Sequence, residues 1–178
     1  MKRIYAALAL GLIGNTAFAS NIINFEGTVS TGGTCPIDVV TPGGPSLPQI
    51  HLGDFRTDDF KAIGDQTGLV KFALRVDPMT CTIGAGEQGY VTYKPNYGTD
   101  PSGQMYGLQS GVGYSSGLSL VIYDEDGAPV EPNTESKGYL LSDSVPTDMN
   151  FITRLQMTDY SVTEGHIRTS VNYLVDIR

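Results

Sequence analysis

Ser170-Val171-Asn172-Tyr173-Leu174-Val175-Asp176-Ile177-Arg178 closes the chain. Val171, Tyr173, Val175 and Ile177 fall on every second position and so share one face of an extended strand. A chain that ends inside a strong strand is unusual, because termini tend to fray. Something must pair with this strand or read its end.

The same alternation recurs upstream. It is present in Ile23–Val29, briefly in Gln49–Gly53, across all of Leu69–Val76, and in Gly89–Tyr93 and Phe151–Met157. Leu118–Tyr123 is a mostly apolar run closed by the turn Asp124-Glu125-Asp126-Gly127. Between these runs lie turn clusters. Thr41–Pro48 carries three prolines, whose missing N–H cannot serve a ladder. Pro95–Gly117 is rich in Gly, Ser and Tyr, and Pro129–Lys137 is a polar turn region. Short strands between frequent turns, with no sustained 3.6-residue period, predict an all-β sandwich or barrel.

The first nineteen residues read as a secretion signal. Lys2 and Arg3 are followed by the apolar stretch Ile4–Ile13 and by the small-x-small site Ala17-Phe18-Ala19. The apolar stretch is too short to span a bilayer. Residues 20–178 then form one domain, large enough for a core of its own. Loss of Lys2 and Arg3 takes the net charge from −8 to −10. So acidic a chain argues against nucleic acid and anionic lipid as partners. In an exported chain the pair Cys35 and Cys81, 46 positions apart, implies a disulfide. Neither cysteine has a second ligand at metal-binding spacing, so no metal and no cofactor are expected.

Taken in order, these residues resemble the pilin subunits of chaperone–usher (type 1-like) fimbriae. Phe25-Glu26-Gly27-Thr28-Val29 precedes Cys35, Ile50-His51-Leu52-Gly53 follows it, and a strand leads to Cys81. Leu118–Val130, then Val162-Thr163-Glu164-Gly165 and the closing alternation to Ile177-Arg178, complete the set. Ile177 stands where the family often carries an aromatic, and keeps its apolar character.

The resemblance implies an incomplete immunoglobulin-like β-sandwich lacking its last strand, with an open groove beside the closing strand. Such a groove exposes core side chains and unpaired backbone groups along an edge. A periplasmic chaperone would lend a strand, an outer-membrane usher would assemble the fibre, and other pilin subunits would replace the chaperone by β-strand addition. Val171, Tyr173, Val175 and Ile177 would flank the groove, and the chaperone would grip the carboxylate of Arg178. The expected location is a fimbrium on the cell surface, reached through the periplasm. Only Ser20–Asn24 lie between Ala19 and Phe25, a reach of roughly 17 Å. Those residues lead straight into what reads as the domain's own first strand. A subunit that accepts a strand but donates none belongs at a fibre tip, where a host glycan or protein receptor would be its partner.

Two other readings compete. Gly113-Tyr114-Ser115-Ser116-Gly117 matches a nucleophile elbow, but it sits in a loop before a strand, where the motif needs a strand and then a helix. No catalytic residue is assigned to the chain, and His51 and His166 are expected to be structural or solvent-facing. The alternative to a fibre subunit is a free-standing secreted lectin-like module. For it, Tyr90, Tyr93, Tyr97, Tyr106 and Tyr114 would be the ligand-facing candidates, against a simpler expectation that they are core or surface residues.

Overall fold

A computed structural model describes residues 22–29 and 35–178, so the expected signal segment 1–19 lies outside the described residues. The strands are β1 (Ile22–Val29), β2 (Ile37–Val40), β3 (Ile50–His51), β4 (Val70–Val76), β5 (Gln88–Pro95), β6 (Leu118–Asp124), β7 (Tyr139–Leu140), β8 (Thr147–Met157) and β9 (Arg168–Ile177). A single 3₁₀ turn spans Thr57–Asp59, and no α-helix occurs among the described residues.

Two sheets form an immunoglobulin-like sandwich. One has the order β3-β1-β9-β5-β7 and the other β2-β4-β8-β6. Each strand reads outward from its own alternation. In β8, Met149, Phe151, Leu155 and Met157 are buried together with Thr153, while the intervening residues are partly exposed. Thr153 resolves its polar burial by donating its hydroxyl to the Val121 carbonyl at 2.9 Å. All seven β6 residues but Tyr123 are buried, which is why that run reads as continuous rather than alternating.

Aromatic side chains fill the space between the sheets. Phe72 stacks on Phe151 with centroids 5.6 Å apart, and Tyr93 meets Phe151 edge-on at 5.3 Å. Tyr106, fully buried, donates its hydroxyl to the Val130 carbonyl at 2.8 Å and so pins the long 95–117 connection over the core. Two of the five loop tyrosines, Tyr93 and Tyr106, are therefore core residues. Cys35 and Cys81 are bonded, with Cα atoms 4.7 Å apart.

At Gly117 the backbone takes φ +85°, and an added Cβ would lie 2.1 Å from the Ser161 carbonyl oxygen. The close approach lets the chain entering β6 pack directly on the backbone of the 158–165 loop.

Candidate assembly groove

β9 is the strand around which the candidate site is built. On one side it pairs antiparallel with β5, from Gly89↔Ile177 to Pro95↔Val171. On its inner face Val171, Tyr173 and Val175 are buried, and Ile177 packs against the core edge. Those are the four positions whose alternation was expected to flank the groove. Burial raises the pKa of the Tyr173 phenol above its ordinary value, with the Asp38 charge adding to the effect. Its hydroxyl donates to the Ile37 carbonyl at 2.7 Å, tying β9 to β2 across the sandwich.

On its other side β9 pairs with β1, and this ladder runs parallel. Eight pairs form it, from Ile22↔Arg168 through Phe25↔Val171 and Gly27↔Tyr173 to Val29↔Val175. Ile23 is fully buried beside the core. On its far edge β1 meets β3 only at Ile22↔His51 and Ile23↔Ile50. From Asn24 to Val29 its ladder partner among the described residues is β9.

This arrangement corrects one expectation. The groove beside the closing strand was expected to stand open, with Ser20–Asn24 leading straight into the domain's own first strand. Instead β1 and β2 belong to opposite sheets, and β1 fills the slot beside β9. The physical reason is elementary: a bare β9 edge would leave a row of N–H and C=O groups unpaired next to buried side chains. A nearby segment with matching alternation supplies the partners.

The end of β9 is held firmly. The N–H of Arg178 donates to the Gln88 carbonyl at 3.0 Å, and the N–H of Gln88 donates to the Arg178 carbonyl at 2.8 Å. The Arg178 guanidinium lies 3.9 Å over the Tyr90 ring, donates to Glu135 at 2.8 Å, and also pairs with Asp176. The bond from Arg178 holds the Glu135 carboxyl below its usual range. This clasp was not foreseen, because Glu135 is 43 residues away in sequence and nothing local links the two.

Other singled-out residues lie elsewhere. Ser115 is buried in the loop before β6, and its backbone N–H donates to the His166 carbonyl at 3.0 Å. His166 is exposed and packs edge-on against Tyr114, and His51 is exposed on the short β3. A strand follows Ser115, so the nucleophile-elbow architecture is missing. No cluster of potential metal ligands occurs among the described residues.

Residues 23–178 match the family model described as "Fimbrial protein". The chain belongs to the fimbrial protein family. It is similar to Long polar fimbria protein A of Salmonella typhimurium, at 24% identity over 97% of this chain and 94% of that protein. Its fold is similar to the P pilus rod subunit PapA, with a TM-score of 0.60 and 13% identity over 81% of this chain and 99% of that one. It also resembles a subunit in the structure of a chaperone–usher pilus, with a TM-score of 0.56 and 12% identity over the whole of both chains. This fimbrial protein is accordingly a structural component of cell-surface fimbriae and not an enzyme.

Proposed function

We propose that this fimbrial subunit is assembled by donor-strand exchange through a chaperone–usher pathway, with the slot beside β9 as acceptor. The observation that supports this reading is the seating of β1. The slot takes an alternating eight-residue strand over most of the length of β9, and that strand has almost no other partner in its sheet. Backbone ladder bonds are indifferent to which molecule supplies the strand, so a chaperone or a neighbouring subunit can occupy the same edge. Val171, Tyr173, Val175 and Ile177 line that edge, and Arg178 at its end is the group a chaperone would hold.

The position within the fibre bears on β1 itself. A tip position with a receptor-binding role rests on the shortness of the segment ahead of Phe25. The pairing of Ile22–Val29 along β9 favours the opposite reading: a segment that fits one such slot can serve as a donor, and a donor belongs inside the fibre. Co-expression with a periplasmic chaperone should yield a one-to-one complex. Adding a chaperone-loaded sister subunit should then release a chaperone as the two subunits join. Failure to bind any chaperone, with a chain that folds and remains single, would contradict donor-strand exchange. If its N-terminal segment releases no chaperone from a sister subunit, the tip reading is restored.

A further inference from the structure

We infer that the cleft at the end of the sandwich where β9 begins is a binding site for a neutral sugar, with the buried Ser115 hydroxyl and the half-buried Phe55 ring as its two recognition groups. The site lies apart from the ladder beside β9 and stands whether or not strand exchange assembles the fibre.

Three chain segments form the cleft: the turn at 55–60, the loop before β6 and the loop before β9. The two loops are locked together. The Ser115 N–H donates to the His166 carbonyl at 3.0 Å, and the His166 N–H donates to the Gly113 carbonyl at 2.8 Å. The Ser116 N–H donates to the Thr163 hydroxyl at 2.9 Å. Only a residue without Cβ lets them meet so closely, since a Cβ at Gly165 would lie 2.4 Å from the Tyr114 carbonyl carbon. In the third segment the Arg56 N–H donates to the Asp59 carboxylate at 2.8 Å, and Phe55 meets the buried Phe60 edge-on with centroids 6.2 Å apart. The cleft measures about 530 Å³, within the range of small-molecule sites, and it is formed before any ligand arrives.

The lining selects the ligand. Ser115 is 5% exposed, and its hydroxyl has no hydrogen-bond partner among the described residues. A buried hydroxyl left so costs about 1–3 kcal/mol, which a ligand that bonds to it recovers. A purely apolar ligand would leave it unpaired. Around it, Thr57 both donates and accepts, Asp58 and Glu164 accept, and Arg56 donates. One cation set against two carboxylates gives an anion little hold, and no cluster of metal ligands occurs among the described residues. The complement of this lining is an uncharged molecule with hydroxyls along its edge and an apolar C–H face. A sugar ring has both, and the Phe55 and Phe60 rings supply the surface against which its C–H face packs.

The test is saturation-transfer NMR on the mature chain with the methyl glycosides of glucose, galactose, mannose and N-acetylglucosamine. Each is offered separately at up to about 50 mM, well above a millimolar Kd. At least one is expected to bind saturably, and Ser115→Ala and Phe55→Ala should each weaken it about five-fold. Ser115→Ala removes an unpaired buried hydroxyl, so its melting temperature should equal or exceed the parent's, and its loss of affinity then reports a lost contact and not a lost fold. Tyr97→Ala, at an exposed position outside the cleft, should leave the affinity unchanged. Binding of none of the four glycosides, or binding that both cleft substitutions leave intact, would overturn the site. Tighter binding of phosphate or benzoate than of any glycoside, weakened by the same substitutions, would overturn the sugar as its ligand.

Discussion

The hydroxyl of Tyr173, on the strand beside the slot, donates to the carbonyl of Ile37 in the opposite sheet at 2.7 Å. Ile37 lies two residues beyond Cys35, so this bond anchors the segment that leads from β1 into the body of the domain. Tyr173→Phe keeps the ring and leaves the Ile37 carbonyl without this donor. The expected loss is about 1–3 kcal/mol in urea unfolding, with an unchanged denaturant slope.

Four buried phenols make the fold sensitive to alkali. Burial raises the pKa values of Tyr93, Tyr106, Tyr139 and Tyr173 above the ordinary value of about 10. The unfolded chain gives up these protons near pH 10, whereas the folded chain retains them to higher pH. Their contribution is thus fully present below pH ~10 and is lost as the pH rises beyond it. Tyr93 and Tyr106 together should remove up to about 2–3 kcal/mol per pH unit in that window, readable as a falling melting temperature between pH 10 and 11. A flat profile there would contradict their burial as neutral phenols.

Arg75 and Asp148 answer the acid side. The guanidinium donates to both carboxylate oxygens, at 2.6 and 2.8 Å, and the Gly43 N–H donates to the same carboxylate at 2.8 Å. The bond from Arg75 holds the Asp148 carboxyl below its usual range, outweighing desolvation, and the smaller contribution of the Gly43 N–H adds to it. A lowered folded pKa means stability present above pH ~4 and lost on acidification through the folded value. Arg75→Lys cannot reproduce the two-point contact and should remove about 1 kcal/mol at neutral pH. The difference from the parent should shrink on acidification, as Asp148 becomes protonated.

The Cys35–Cys81 bond closes a separation of 46 residues and fixes the chain just ahead of β2 to the segment after β4. In the chain-entropy account its removal by Cys35→Ala with Cys81→Ala should cost about 4 kcal/mol. Comparing oxidised parent and double variant in denaturant measures this directly.

Gly117→Ala is expected to be more damaging than its size suggests. The backbone there has φ +85°, and the new Cβ would meet the Ser161 carbonyl oxygen at 2.1 Å. Strain and overpacking together should lower stability by about 2–4 kcal/mol. Gly127→Ala, at φ +83° with nothing near the added Cβ, supplies the control that isolates the clash.

Local pattern carried the strands that alternate over five or more residues. Leu69–Val76 and Phe151–Met157 were readable because their apolar residues recur at every second position, and the structure places β4 and β8 there. Ile37–Val40 was not recognised, since four residues give too short a run to establish a period. Nor was Tyr139–Leu140, which becomes a strand only by pairing with Gln88 and Gly89. The bonds from Tyr173 to Ile37 and from Arg178 to Glu135 had no sequence signal at all, because their partners meet only when the sheets stack.

What the amino-acid order settled by itself was the all-β class, the disulfide, the inward face of β9 and the family resemblance. Each follows from local periodicity or from residue type, which are properties of the unfolded chain. What tertiary structure decided was the neighbour of β9. An alternating segment such as Ile22–Val29 has the same face pattern whichever strand it lies beside and whichever way it runs. Only the unpaired edge of β9, created by the stacking of the other strands, selects its place and its parallel direction.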